Sequence, residues 1–497
     1  MMHGVEKSDP AVVAVKPANK AASAAAEWVE PRAGTEGNTA QDHTHRTQRR
    51  AGVSQGLDRV RQVARLRKKE RFTALLHHVS VEALREAYMA LKRRAAPGVD
   101  GVTWQDYERD LQSNLLELHR RVHHGTYRAL PVKRRFIAKQ DGTLRPLGIT
   151  ALEDKIVQRA VGSVLGAVYE ADFKGFSYGF RPGRSQHDAL DALSVGIAQA
   201  RVNWILDADI RSFFDKIDQA WLIKFLKHRI GDERVIRLVS KWLKAGVLDE
   251  GTWSQSETGT PQGAVISPLL ANVFLHYVYD LWAVQWRQRQ ARGQMITVRY
   301  ADDVVAGFEL EADARAFWDA MRERFKQFAL ELHEDKTRLL EFGRFAATRR
   351  ARRGQGKPET FKFLGFVFIC GKTRRGAYQL QRKTRSDRTR ARLQDIKAKL
   401  RERMHDSIPE QGKWLRAVVS GYFAYHAVPT NVRALVSFRR HVTDLWRRTL
   451  RRRSQRDKMT LERMDDLANR WLPRPRILHP WPSERFAVTH PRWEPSA

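Results

Sequence analysis

The chain has 497 residues and is strongly basic, with 90 Lys and Arg against 56 Asp and Glu, a formal net charge of +34 and a pI near 10.6. A charge of this size opposes compaction unless a polyanion neutralises it, so nucleic acid is the expected class of partner. An anionic membrane surface is a weaker alternative because no long amphipathic anchor is evident. The length and a hydrophobic content of 42% allow two or three domains with a large core.

The cysteine content and the N-terminus restrict the class of protein further. The single cysteine, Cys370, excludes an internal disulfide framework and a Cys₄ zinc site. It lies in an apolar run and is expected to be a small core residue. The N-terminus lacks a signal-peptide core, and no run of about 18 apolar residues could span a bilayer. The expected location is cytoplasmic.

The first third of the chain begins with a segment of low order and continues with predicted helices. Residues 1–56 are rich in Ala, Gly, Thr, Gln and His without periodicity, which predicts a variable, disordered tail. A basic helix is predicted from about Leu57. Thr103 is placed to cap a later helix, with Asp106 as its capping-box partner. An Asp-Gly turn within residues 132–150 predicts a β-hairpin.

Two acidic segments follow in the middle of the chain. Apolar, β-branched residues on both sides of Tyr-Ala-Asp-Asp at 300–303 predict a hairpin with Asp302 and Asp303 at its tip. A strand predicted over residues 204–210 places Asp207 and Asp209 on one face. If the strand lies beside the hairpin, three carboxylates meet and suit Mg²⁺, a hard ion. The spacing does not decide whether they are neighbours, and an ordinary Asp-rich turn is the alternative.

The last third of the chain is dominated by basic helical patterns over residues 383–455. Apolar residues at spacings of three and four predict one buried face, formed by Leu393, Ile396, Leu400 and Met404. The excess charge on the opposite face is of one sign, positive, which favours a phosphate-binding surface over a merely solvated helix face. Helices mixed with short strands predict an α+β fold.

Ordered motifs over residues 57–482 resemble a group II intron-encoded reverse transcriptase, also called a maturase. The matching blocks are residues 95–104, 136–149, 176–185, 209–215, 260–263, 300–303, 332–337 and 363–366. One block could match by chance, but so many in the family's order leave little room for coincidence. The resemblance implies right-hand fingers and palm, an antiparallel sheet with packed helices, over 57–370. An all-helical thumb, or maturase domain X, follows over 371–482, with a short tail at 483–497.

The resemblance assigns a metal site to the acidic segments. It implies that Asp209, Asp302 and Asp303 form the catalytic metal-binding triad of a two-Mg²⁺ site, with the Ile210 carbonyl as a further ligand. For Asp303 a purely electrostatic role is the alternative. Asp207 lies outside the family's triad and is expected to be structural.

The resemblance also assigns the residues that handle the incoming dNTP. Lys139 and Arg145 on the fingers hairpin match residues that clamp the triphosphate. Phe214 matches the bulky residue that favours dNTPs over rNTPs, and Gln262 a residue that lines the nucleotide pocket. Lys336 matches a lysine that protonates the departing pyrophosphate, a general-acid role, with a structural lysine as the alternative.

In three further regions we expect either packing or contact with nucleic acid. Gly263 would permit close backbone approach to the nucleotide pocket, and the turn at 363–366 resembles the grip on the primer end. Phe213 and Tyr422 are expected in the core. Trp471, within a string of basic and aromatic residues, is either a core residue or a base-stacking one.

The implied function is an RNA-directed DNA polymerase that also promotes splicing of its host intron. The implied partners are group II intron RNA, an RNA template with a DNA primer, dNTPs and target DNA, with nucleoid association when DNA is engaged. The chain ends about twenty residues after Arg476 without a cysteine pair, so it is expected to lack the HNH endonuclease of many relatives. The alternatives are a splicing cofactor with an inactive polymerase, or a reverse transcriptase of a diversity-generating or CRISPR-linked system.

Overall fold

The structure is a computed structural model that describes residues 46–138, 144–249, 252–254, 258–260, 263–453 and 459–489. Side chains are described for somewhat fewer residues at the edges of these ranges. The described residues form a mixed α+β fold, with sheets in the first three quarters of the chain and helices at its C-terminal end. The α+β fold class is therefore confirmed. No helix of the described chain is long and apolar enough to cross a membrane.

Helices make up most of the regular structure. In chain order they are α1 (Arg46–Leu66), α2 (Val81–Met89), α3 (Trp104–Glu108), α4 (Leu111–His123), α5 (Leu152–Tyr169), α6 (Gln186–Gln199), α7 (Phe213–Lys216), α8 (Gln219–Arg229), α9 (Glu233–Lys244), α10 (Ser267–Leu275), α11 (Leu281–Arg289), α12 (Glu311–Lys326), α13 (Ala346–Arg352), α14 (Ser386–Glu402), α15 (Ile408–His426), α16 (Val432–Arg451), α17 (Leu461–Trp471) and α18 (Pro482–Thr489). A 3₁₀ turn spans Leu76–His78, and a π-helical turn at His276–Asp280 joins α10 directly to α11.

The strands form three sheets in the described residues. They are β1 (Val132–Ala138), β2 (Leu144–Ile149), β3 (Trp204–Ala208), β4 (Val247–Asp249), β5 (Thr252–Ser254), β6 (Met295–Tyr300), β7 (Asp303–Phe308), β8 (Arg338–Glu341), β9 (Phe361–Phe363), β10 (Phe366–Lys372) and β11 (Tyr378–Thr384). The sheet orders are β2-β1-β4-β5, β6-β7-β3-β8 and β11-β10-β9.

Several local predictions are confirmed. Thr103 caps α3, and its side chain and that of Asp106 form a reciprocal capping box. Strands β1 and β2 form the predicted antiparallel hairpin. The predicted hairpin at 300–303 is also present, as β6 and β7 with Tyr300 paired to Asp303.

The central sheet β6-β7-β3-β8 separates two apolar cores. Leu206 and Ala306 point into the larger core, which is covered by helices α5 and α8 to α12. Ile205 and Val305 point into a smaller core that also receives the sheet β9–β11. Because side chains alternate along a strand, the residues at odd positions of β3 share the face of Ile205. That face carries the acidic residues.

The helices α14 to α17 enclose a third core of their own. Ile396 and Leu400 of α14 are fully buried there, as predicted, and Leu393 packs partly against it. Met404 does not continue this helical face, because α14 ends at Glu402. Tyr422 of α15 is buried, as predicted.

Cys370 differs from its prediction as a core residue. It lies in β10 and is only half-buried, at the margin of the smaller core. Its Sγ accepts a hydrogen bond from the Gly343 backbone N–H at 3.2 Å. Burial raises the pKa of the thiol, so Cys370 is a neutral edge residue.

Candidate active site

The two acidic segments lie on adjacent, hydrogen-bonded strands. In the antiparallel pair of β3 and β7, Ala208 is opposite Val304. Continuing this register by one residue places Asp209 opposite Asp303, so both carboxylates leave the same face of the sheet. Asp302 occupies the turn between β6 and β7. The sheet therefore brings together the two segments whose proximity the sequence left open.

Negative charge accumulates at this corner of the sheet. The side chain of Asp303 keeps accessible surface, yet the surrounding protein desolvates its carboxyl. This desolvation, followed by repulsion from Asp302, Asp209 and Asp207, raises the pKa of Asp303 to about 7. Among the described residues, no three His, Cys, Asp or Glu side chains are grouped so as to hold a metal ion as they stand. The carboxylate chemistry nevertheless fits a hard divalent cation, which would relieve the repulsion.

The segment after α12 supports the end of β3. The backbone N–H of His333 donates to the Asp209 carbonyl at 2.8 Å, and Ile210 forms an isolated antiparallel bridge with Leu332. These contacts bring Lys336 to Asp209, with its Nζ 3.0 Å from Oδ2 of the carboxylate. The structure thus places the predicted lysine beside the first of the predicted metal ligands.

Asp207 is situated differently from its neighbours. Burial, with a smaller contribution from Asp209, raises the pKa of Asp207 to about 6, although Arg338 acts in the opposite direction. Its Oδ2 lies 3.9 Å from Nη2 of Arg338, the residue paired with it on β8. This cross-strand pairing agrees with the expected structural role for Asp207.

A buried arginine that the sequence analysis missed supports the turn at residues 300–303. Arg299 of β6 is fully buried, and each of its five N–H groups has an acceptor. Nε and Nη2 donate to the two carboxylate oxygens of Asp280, both at 2.7 Å. Nη2 also donates to Ser177 Oγ at 2.7 Å, and Nη1 donates to Asn272 Oδ1 and to the Ala301 carbonyl, both at 2.9 Å. The arginine therefore holds the backbone between Tyr300 and Asp302.

The same network fixes a strained backbone position. Ala301 has φ of 57°, in the left-handed region where residues with a Cβ are disfavoured. A Cβ at Gly179 would lie only 2.3 Å from the Ala301 nitrogen, so glycine is required for the approach of this loop. Asn272 donates to the Gly179 carbonyl at 2.7 Å, and the π-helical turn carries Asp280 to Arg299. The sequence feature that could have revealed this network is the charged Arg299 within an otherwise apolar strand.

The elements of the predicted nucleotide pocket also converge. The Thr260 N–H donates to the Phe214 carbonyl at 2.8 Å, which brings the start of the Thr-Pro-Gln-Gly segment to α7. A Cβ at Gly263 would lie 2.5 Å from the Gly148 carbonyl of β2, so the glycine allows these two backbone segments to approach closely. Phe213 is buried, as predicted, whereas Phe214 is partly exposed at the margin of the larger core.

Three predicted pocket residues lack a described side chain. Lys139 and Gln262 lie outside the described residues. Arg145 belongs to β2, where its backbone is opposite Ile137 of β1, but its side chain is outside the description as well. Their roles stay predictions.

The predicted primer-grip turn links the palm to the helical C-terminal part. Leu364 and Gly365 connect β9 to β10 with φ of 43° and 82°, as in a type I′ turn. Leucine is disfavoured in the left-handed region, and its carbonyl is held by the Tyr425 hydroxyl of α15 at 2.7 Å. The Tyr425 ring stacks on Phe366, with 5.7 Å between ring centroids. The turn is therefore held from the helical side.

Comparison with known proteins agrees with this geometry. Residues 137–368 match the family model described as reverse transcriptase (RNA-dependent DNA polymerase). The chain is 35% identical to protein YkfC of Escherichia coli (strain K12) over 286 residues, which are 50% of this chain and 74% of that protein. The central sheet, its acidic corner and these matches define a reverse transcriptase domain.

Two further relatives specify the family. Group II intron-encoded protein LtrA of Lactococcus lactis subsp. cremoris is 40% identical over 181 residues, 36% of this chain and 30% of that protein. Nuclear intron maturase 3, mitochondrial, of Arabidopsis thaliana is 30% identical over 124 residues, 25% of this chain and 17% of that protein. The chain thus spans less than a third of the length of either. It belongs to the group II intron-encoded reverse transcriptase and maturase family.

Proposed function

We propose that this protein is the RNA-directed DNA polymerase of a group II intron, which copies intron RNA into DNA and binds that RNA to promote splicing and mobility. The observation that carries the polymerase half is the register of β3 and β7, which sets Asp209 opposite Asp303 with Asp302 at the adjoining turn. The alternative, an ordinary Asp-rich turn, does not explain why a second acidic strand lies beside it.

The carboxylates of Asp209, Asp302 and Asp303, with the Ile210 carbonyl, are the groups that would hold two Mg²⁺ ions. Bound Mg²⁺ supplies charge stabilisation at the attacking 3′-hydroxyl and at the leaving pyrophosphate. The protein orients these ligands through the Arg299 network beneath the turn. Lys336, already 3.0 Å from Asp209, donates a proton to the departing pyrophosphate.

Selection of the nucleotide rests on the pocket between α7 and the hairpin β1–β2. Phe214, partly exposed at the end of the pocket, would crowd a ribose 2′-hydroxyl and so favour dNTPs. Gly263 lets the backbone approach the hairpin. Lys139 and Arg145 clamp the triphosphate, and Gln262 lines the pocket.

The splicing half of the proposal rests on binding. The helices α14 to α16 bury apolar residues inward and present many arginines outward. Such a surface binds RNA phosphates in proportion to the number of charges engaged. The intron would carry out its own chemistry, and the protein would stabilise its active fold.

Primer extension on an RNA template tests the polymerase half. The full-length protein should extend a DNA primer with dNTPs and Mg²⁺, and omission of the divalent ion should stop the reaction. Asp302→Ala should reduce extension by at least about 10³-fold, since charge stabilisation is commonly the largest catalytic contribution. Asp207→Asn, on the neighbouring strand position that pairs with Arg338, is the matched control and should retain most activity.

Intron splicing by the same variants separates the two halves. Asp302→Ala should still promote splicing if the thumb acts by binding alone. Extension without any divalent ion, or equal loss with Asp207→Asn, would contradict the metal assignment. A wild-type protein that splices but never extends a primer would instead be a splicing cofactor with an inactive polymerase.

A further inference from the structure

A pocket lies where the C-terminal segment packs against helix α6 and strand β11. Gln199 ends α6 five residues before β3 begins, whereas Asp209 follows the end of β3, so the pocket and the acidic corner lie toward opposite ends of that strand. The walls come from the second half of α6, from β11, from the loop between α15 and α16, and from the start of α18. The polar and aromatic residues that line the pocket include Gln199, Gln379, Arg382, Thr430, Trp481 and Ser483.

A buried arginine in this lining has a donor to spare. Arg382 is 2% exposed, and its Nη1 donates to Asp191 Oδ1 at 2.7 Å. Arg485 of α18 binds the other oxygen of the same carboxylate, so Asp191 is already shared by two guanidinium groups. The Nη2 of Arg382 is buried without an acceptor in the part of the chain that the structure describes. Such a group is costly to leave unpaired, and an acceptor atom of a ligand in the pocket would relieve that cost.

The loop that completes the pocket is held in a strained conformation. Thr430 has φ of 74°, which is an outlier for a β-branched residue. Its Oγ1 accepts from the Arg382 backbone N–H at 3.1 Å and donates to the Arg382 carbonyl at 3.4 Å. The Nζ of Lys383 donates to the Thr430 carbonyl. The loop is therefore fixed to β11 before any ligand binds, and strain of this kind concentrates at binding sites.

The remaining groups of the pocket suit a planar ring with polar edges. Trp481 lines the pocket yet is 46% exposed, so its indole is available for stacking. Gln199 and Gln379 each carry an amide with one acceptor and two donor hydrogens, and neither side chain forms a hydrogen bond with the rest of the described chain. A glutamine amide can form a pair of hydrogen bonds with N6 and N7 of adenine.

Positive charge near the pocket suits a base that belongs to an RNA strand. Arg374 and Arg375 are exposed in the turn between β10 and β11, and about 3.4 Å per residue places them some 15 Å from Gln379. Arg201, two residues beyond the end of α6, is exposed as well. None of these three arginines forms an ion pair within the described ranges. They are therefore available to the phosphates on either side of a bound base.

We propose that this pocket binds one unpaired adenine of an RNA strand, stacked on Trp481 and hydrogen-bonded by Gln199 and Gln379. The inference rests on the RNA-binding half of the proposed function and deepens it. Contacts to phosphates position an RNA but carry no sequence information, whereas contacts to a base edge do. The pocket would therefore add recognition of a particular base to a surface that otherwise binds by charge.

Short oligoribonucleotides test this assignment. Binding of the full-length protein to a strand of nine uridines, and to the same strand with one central adenosine, is measured by fluorescence anisotropy. One adenosine should strengthen binding about tenfold, and Trp481→Ala should reduce that difference to less than about twofold.

A central guanosine separates stacking from recognition of the base edge. The wild type should prefer adenosine over guanosine about tenfold, because the two amides match N6 and N7 of adenine. Gln199→Leu combined with Gln379→Leu should bind the two purines equally while still preferring either to uridine. Equal binding of the two purines by the wild type would contradict the role given to the amides.

Trp253→Ala is the matched control. Trp253 is exposed to a similar extent, 52%, but lies on β5 in a different sheet, so this variant should keep the full preference for adenosine. Circular dichroism of each variant checks that the fold is retained. Competition with AMP identifies the source of the base, since AMP lacks the flanking phosphates and should displace the adenosine strand only at a concentration at least about a hundredfold higher. Displacement by AMP at the concentration of the strand itself would assign the pocket to a free nucleotide and overturn the RNA assignment.

The proposal fails if the wild type binds the uridine and adenosine strands equally, or if Trp481→Ala keeps the preference. Filter binding of whole intron RNA by the wild type tests the RNA-binding half of the proposed function separately. A protein that binds the intron without any preference for adenosine in the short strands keeps the proposed function and loses only this pocket.

Discussion

The corner of the palm around the turn at residues 300–303 and the helical C-terminal part use charge in opposite ways. At the palm corner, Arg299 and Asp280 are fully buried and every N–H of the guanidinium has an acceptor. Around the third core, residues such as Trp446 and Leu400 are buried while most arginines face outward. The palm corner therefore depends on single residues with defined geometry, whereas the helical part depends on a sum of interchangeable charges. Substitutions in the two regions should differ accordingly.

The largest effect is expected for Arg299→Gln. Removing one partner of a buried ion pair leaves Asp280 buried and uncompensated, which costs about 3–5 kcal/mol. The chain should unfold at a clearly lower urea concentration, and the peptide over residues 295–308 should exchange its amide hydrogens faster. Arg315→Gln is the control, because the exposed pair of Arg315 with Glu311 is worth about 0.5 kcal/mol or less. Equal stability of the two variants would contradict the importance given to burial.

Gly179→Ala should displace the turn at residues 300–303 with less effect on stability. The added Cβ would lie 2.3 Å from the Ala301 nitrogen, a backbone atom that cannot turn aside as a side chain can. A misplacement of about 1 Å at a reacting centre can cost about 10²-fold in rate, so primer extension should fall by that order. Gly166→Ala, in α5 with open space around it, should instead stabilise by about 0.5–1 kcal/mol. Full activity of Gly179→Ala would mean that the loop can move to accommodate the added Cβ.

The sequence was most informative where local chemistry decides the structure. The capping box of Thr103, the hairpin at 300–303 and the burial of Phe213 follow from neighbouring residues alone. The register of β3 against β7 depends on contacts about a hundred residues apart, so the residue pattern left it open and the family resemblance implied it. The partners of Arg299 come from three separate segments, so no local pattern could reveal them. Met404 was misassigned because periodicity does not show where a helix stops.

His187 should make the junction between palm and C-terminal part sensitive to acid. Its ring stacks on His479, with 4.0 Å between centroids, and both ring nitrogens are buried without a hydrogen-bond partner among the described residues. Burial, then His479, Arg485, Arg382 and His426, lowers the pKa of His187 from 6.5 to about 2. Because the unfolded chain takes up the proton below about pH 6.5 and the folded chain does not, stability is lost as the pH falls from there.

The expected loss between pH 7.5 and pH 5 is about 2 kcal/mol for this one group. His187→Phe keeps an aromatic ring but cannot be protonated, so the difference in stability between these two pH values should shrink by about that amount. His405→Gln, at an exposed histidine just beyond α14, is the control and should behave like the wild type. Urea unfolding at both pH values measures the difference. If the difference in stability between the two pH values is unchanged in His187→Phe, His187 is not the cause of the acid sensitivity.

The smallest effect is expected for single arginines of the helical surface, and it sharpens the contrast with Arg299. Arg440 of α16 is exposed and forms no ion pair within the described residues, whereas Arg448 of the same helix is 2.8 Å from Asp444. Arg440→Gln should weaken binding of intron RNA about threefold near 0.1 M salt and lower the salt slope by about one. Arg448→Gln should change both less, since its charge is already partly neutralised. Filter binding over a salt series distinguishes them, and a hundredfold loss from Arg440→Gln would show that this surface, like the palm, depends on individual residues.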